Sequence, residues 1–157
     1  KPVPVDMRYF KNPKGGMALT ALAGPVSNFL LAFAAVGVSS AIWNLAPLNR
    51  GTLLILCFCS NTALLSVGLG LFNLIPISPL DGSKVLYALL PQRIYFTILR
   101  YEKYVMGVLV LLTFLGVFQG PLSFLMLHVL RWICAVAGMP LEGLLAVQDV
   151  AAILSLF

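Results

Sequence analysis

Three stretches of this chain carry no charged residue: 15–49, 51–80 and 104–130. Each is long enough to cross hydrocarbon about 30 Å thick, which takes about 20 helical residues. In that solvent every backbone N–H and C=O must find its partner inside the segment, so an uncharged stretch of this length has to be helix unless it lines a cavity. Composition agrees. Of 157 residues 61% are hydrophobic and 10% charged, and the mean hydropathy is +1.01, far from a water-soluble domain. The fold class is all-α, a polytopic transmembrane helical bundle with about four spans.

The spans are expected near residues 17–44, 52–75, 104–118 and 122–137. Gln119-Gly120-Pro121 separates the last two and reads as a tight hairpin. Both halves of that hairpin are short for full crossings. Residues 138–157 are apolar but carry Glu142 and Asp149, and read as an interfacial helix or tail. Lys1, Arg8, Lys11 and Lys14 precede the first span, and Lys84, Arg93, Arg100 and Lys103 fall in the 82–103 connection. The 45–51 turn holds only Arg50, and the 119–121 turn holds no charge. The positive-inside rule therefore places residues 1–16 and 82–103 on the cytoplasmic side of a multi-pass protein. This asymmetry and contact with anionic lipid account for the net charge of +5, and no nucleic-acid partner is needed.

Lys1-Pro2-Val3-Pro4-Val5 has neither an initiator Met nor the apolar core of a signal peptide. Its prolines hold residues 1–16 extended at their start, either as a plain juxtamembrane segment or as an edge that pairs with an extended peptide.

The second uncharged stretch ends in Phe72-Asn73-Leu74-Ile75-Pro76-Ile77-Ser78-Pro79-Leu80-Asp81-Gly82. Two prolines stop a helix there, and an acid beside broken backbone at the end of a membrane span marks a site by default. Asp81 can cap a helix beginning near Gly82, or use its carboxylate on a cation or proton. Asn28, in Gly24-Pro25-Val26-Ser27-Asn28, offers an amide that either glues helices or donates to a reacting carbonyl. Ser27 has no His or Lys base at a recognisable spacing. Cys57 and Cys59 point about 200° apart on a helix, cannot share a metal, and read with Cys134 as apolar packing. His128, the single histidine, reads as an interhelical hydrogen bonder.

The Gly24-Pro25-x-Ser27-Asn28 block, together with Asn73-Leu74-Ile75-Pro76 and Leu80-Asp81-Gly82, resembles the site-2 protease family of intramembrane zinc metalloproteases. Lys1 to Val5 is similar to the segment that follows the first catalytic helix in its bacterial branch. The resemblance covers about residues 1–90 well and the last hairpin only in general character. It implies that Asp81 is the third zinc ligand, and that Asn28 handles the substrate or stabilises an oxyanion. It further implies that Asn73, Pro76 and Gly82 shape the broken helix, and that Pro2, Val3, Pro4 and Val5 form the substrate edge. The implied cofactor is Zn2+. The implied reaction is hydrolysis of a peptide bond in or near a transmembrane segment of a membrane protein, by zinc-activated water with a glutamate base.

The family's His-Glu-x-x-His helix does not occur in residues 1–157. The expectation is therefore the C-terminal part of one transmembrane metalloprotease domain in a bacterial cytoplasmic membrane, carrying part of an active site. The 157 residues alone are expected to hold no catalytic zinc and to cleave nothing. The alternatives are a non-catalytic relative, or an ion- or proton-coupled transport protein using Asp81. No inverted repeat between the two pairs of spans supports transport.

Overall fold

The computed structural model describes residues 13–75 and 100–154. Among them the ordered elements are helices: α1 (Pro13–Leu45), α2 (Arg50–Asn73), α3 (Glu102–Phe114), α4 (Gln119–Ala137) and α5 (Leu141–Leu154). Three of these, α1, α2 and α4, are long and apolar enough to cross a membrane. Helix α3 is not. Its 13 residues rise about 20 Å, making it a shorter apolar helix.

Local chemistry sets the helix ends. Pro13 opens α1, where a missing N–H costs nothing and φ is already helical. The first span thus begins ahead of the residue expected, and Gly24-Pro25 lies well inside it rather than near its start. Pro25 is fully buried and leaves the Ala21 carbonyl without its helical donor. Helix α2 starts with a reciprocal cap. The Thr52 N–H donates to Asn49 Oδ1 at 2.9 Å, and the Asn49 N–H donates to Thr52 Oγ1 at 2.8 Å.

The turn before α4 lies at residues 115–118, not at Gln119-Gly120-Pro121, which form the first turn of α4. Pro121 is tolerated there because N–H groups in a first turn have no intrahelical acceptor. The chain reverses at Gly116, whose φ of +72° is easy only without a Cβ. The Val117 N–H bonds the Leu112 carbonyl across that residue at 3.1 Å. Gly138 closes α4 in the same way, with Met139 N–H on Cys134 O at 3.0 Å.

The chain divides into two compact units, residues 1–26 with 72–120, and residues 27–71 with 121–157. In the first, the described elements are the start of α1, the end of α2, α3 and the turn at Gly116. The second holds a core. Ala32, Ala35, Val36 and Ser39 recur along α1 at helical spacing, and Cys59, Ser60, Ala63, Val67 and Gly70 do so along α2. Small residues suit helices that pack in lipid, where close approach rather than water exclusion holds them together. Leu130, Ile133 and Cys134 of α4 and Leu144 of α5 complete the core.

Contacts inside this second unit give the helix directions. The Cβ position of Gly70 faces Asn28 and Phe29, that of Gly68 faces Met126, and that of Gly138 faces Ser40. Helix α2 therefore runs against α1, while α4 runs in the same direction as α1. An alternating reading of four spans puts residues 119–121 at the end opposite the start of α1. Within the second unit the packing instead starts α4 level with the Asn28–Phe29 end of α1. Helix α5 folds back along the other end. Its Gly143 lies against the Trp43 ring, and Cys57 Sγ–H reaches the Val147 carbonyl at 3.4 Å. Residues 141–154 are thus a helix with Leu144 and Val147 buried.

Candidate active site in the membrane segment

Of the residues singled out from sequence, Asn28 and Asn73 lie within the described structure. Asp81, Pro76, Gly82, Pro2, Val3, Pro4 and Val5 lie outside the described residues. Asn28 is half-buried on α1, one residue before Phe29, where α1 meets Gly70 of α2. A Cβ on Gly70 would stand 3.5 Å from Asn28 Cβ and 3.1 Å from the Phe29 ring. Gly70 is therefore what lets α2 reach the Asn28 level. Among the described residues the Asn28 amide has no hydrogen-bond partner. An amide in that state within an apolar bundle can bind a peptide carbonyl, or the oxyanion derived from it.

Asn73 is the last residue of α2, and the Ile75 N–H closes a short turn on Phe72 O at 3.1 Å. This is where the helix leading to Pro76 ends, as two prolines ahead require. Ser27 is exposed and has a partner of its own, and no structural feature makes it a nucleophile. Cys57, Cys59 and Cys134 are buried free thiols in the packed core.

His128 departs from expectation. Its Nδ1 lies 2.9 Å from the Phe124 carbonyl of its own helix, so it donates within α4 rather than between helices. The exposed imidazole sits 4.2 Å from the Phe124 ring and borders a cavity of about 540 Å³. Phe29, Val129, Trp132 and Ile133 complete its apolar lining. Arg131, one turn on, is the other polar group that a search for ligand patterns passes over. Its signal in the sequence is that it is the first charge after residue 104 and lies well inside a span.

The implied metal can be tested against the donors present. Among the described residues no three His, Cys, Asp or Glu side chains come together. The described residues do not make a zinc site, and no catalytic step through zinc is derived from them.

Comparison with known proteins decides the relationship. The model of peptidase family M50 matches residues 50–116, a range that holds α2, the Phe72–Gly82 block and α3. The Bacillus subtilis (strain 168) protein YwhC, provisionally named as a zinc metalloprotease, is 34% identical over 128 residues. The chain belongs to peptidase family M50, the site-2 protease family. The aligned region is 78% of this chain and 55% of YwhC, so the chain spans about half the length of that relative. No solved structure matches. The M50 match includes Asn73, Pro76, Asp81 and Gly82, and Asn28 lies ahead of it.

Proposed function

We propose that this chain is part of an intramembrane zinc metalloendopeptidase that hydrolyses a peptide bond in or near a transmembrane segment of another membrane protein. The observation that carries the reading is the M50 match across Phe72–Gly82, in a chain with three helices apolar enough to cross a membrane. At family level this is a membrane metalloprotease, and the position of Asp81 in the sequence supports the finer substrate class. Asp81 closes an uncharged stretch, so a bond held beside it is one drawn into or near the membrane.

In this reading each residue has a limited task. Asp81 would contribute one carboxylate to the metal, which when bound would supply Lewis-acid polarisation of a carbonyl and a more acidic water. A single His and no His-Glu-x-x-His leave the ligand set of these 157 residues incomplete. Asn28 donates its amide N–H to the substrate carbonyl oxygen. Pro2, Val3, Pro4 and Val5 offer extended backbone that keeps the substrate from remaining helical, since a helix hides its peptide bonds inside its own ladder. Residues 1–16 and 82–103 face the cytoplasm, which puts Asp81 at that side.

The test is cleavage of a membrane-anchored reporter in cells that make the natural protein, with zinc measured on the purified enzyme. Asp81→Ala is expected to abolish cleavage and lower bound zinc. Asn28→Ala is expected to lower kcat by about 10²-fold with zinc retained, as for loss of one oxyanion donor. Full cleavage by Asp81→Ala would remove the carboxylate from the mechanism. The 157-residue chain by itself is expected to retain no zinc; one equivalent, lost on Asp81→Ala, would overturn this division of ligands.

A further inference from the structure

The outer face of α4 has properties that the proteolytic reading does not use. Helix α4 runs alongside α1 in the same direction, with Met126 at the level of Gly68 and Gly138 at the level of Ser40. Arg131 lies twelve residues from the start of α4 and six from its end, about 18 Å and 9 Å along the axis. Helix α1 continues past Ser40 to Leu45, so both His128 and Arg131 fall in the middle part of the bundle's apolar length. Both side chains are exposed, as are Phe124, Leu127 and Trp132 on the same helix. No ion pair joins Arg131 to another described residue.

A guanidinium at that depth, facing lipid, is strongly unfavourable, and membrane proteins keep such groups against a protein partner or a counter-charge. Snorkelling of six residues' worth of helix to the nearer end would exceed what one Arg side chain reaches comfortably, and would not serve His128. A cavity on the same helix, bordered by His128 and Trp132, has room for several apolar side chains. It measures about 540 Å³, has apolar walls from Phe29, Val129, Trp132 and Ile133, and has His128 at its rim.

We infer that this face of α4 is a helix-docking surface, and that its occupant is a membrane-spanning helix carrying a carboxylate at the depth of Arg131. Charge complementarity selects the occupant. Arg131 supplies a fork of donors that fits one carboxylate in two hydrogen bonds. Large apolar side chains of the same helix enter the cavity between Phe29 and Trp132. Neither Asp81 nor any zinc ligand takes part, so the inference stands apart from the proteolytic reading.

The probe is a synthetic Leu/Ala transmembrane helix of about 20 residues with one Asp at its centre, or Asn in its place. Binding to the labelled 157-residue chain is followed by energy transfer in phosphatidylcholine bilayers. The Asp helix is expected to bind about tenfold more tightly than the Asn helix. Arg131→Leu should erase that preference, and Arg131→Lys should keep part of it, with helicity unchanged in both. Equal binding of the two probes, or a preference that survives Arg131→Leu, would overturn the inference. So would three other occupants: loss of the preference on adding phosphatidylglycerol means an anionic lipid, and Arg131-dependent dimers mean a second copy. A stronger Asp-probe preference in Asp81→Asn means that the chain's own carboxylate already holds Arg131.

Discussion

Helices α2 and α4 are both long and apolar enough to cross a membrane, yet they are used differently. Helix α2 buries a stripe of small residues, from Cys59 through Ser60, Ala63 and Val67 to Gly70, and sits between its neighbours. Helix α4 buries only Leu130, Ile133 and Cys134 and leaves its other side open, with His128 and Arg131 on it. The difference teaches what residue size does when the solvent is lipid. Transfer from lipid to protein interior gains little for Leu, so a surface of small side chains commits to a close neighbour, while large ones beside an exposed charge-bearing turn wait for one. An apolar helix is therefore not yet a packed helix; side-chain size and the depth of polar groups separate the two.

The sharpest way to break this comparison is within α4 itself. Leu130→Ala, on the buried face, is expected to destabilise the chain by about 2 kcal/mol through the cavity it leaves. Leu127→Ala, on the open face, is expected to stay within about 0.5 kcal/mol. Reversible unfolding in mixed micelles of lipid and denaturing detergent measures both. Equal losses would mean that the open face is already packed.

The next largest effect belongs to α2. Gly70→Leu pushes a side chain into the Phe29 ring, which stands 3.1 Å from where its Cβ would lie, and should cost about 1–3 kcal/mol in the same assay. Gly70→Ala should cost far less, because Phe29 borders the cavity and its ring has room to move. If Gly70→Leu is tolerated, α1 and α2 do not depend on close approach at Asn28. The smallest effect is Ser60→Ala. The Ser60 hydroxyl is buried without a hydrogen-bond partner, so its removal is expected to change stability by less than about 0.5 kcal/mol or to raise it. A large loss would reveal a partner for that hydroxyl and make α2 a polar interface rather than a steric one.

Much of the fold was legible in the residues. Charge-free stretches located α1, α2 and α4, and the two prolines after Asn73 marked where α2 ends. The turn before α4 was read several residues late. Gln119-Gly120-Pro121 has the composition of a turn, but a proline is equally at home in a helix's first turn, and Gly116 was needed elsewhere for a left-handed residue. His128 was read as reaching another helix, because sequence does not say that the carbonyl four residues back is the nearer acceptor. Within the candidate site, the placement of Asn28 against Gly70 depended on helix register, which no local pattern encodes. Asp81, which the sequence marks as a carboxylate closing an uncharged stretch, lies outside the described residues.

What the sequence determined by itself is the solvent, the helical class and the family-bearing block from Phe72 to Gly82, because desolvation of charge and of backbone is a local cost that each segment meets alone. What only the tertiary structure decided is direction and partnership. Within the second unit α4 runs with α1 and against α2. That arrangement brings Phe29 and His128 to one cavity and leaves Arg131 exposed. Both outcomes come from which surfaces fit together at close range, a property shared between segments and written in none of them singly.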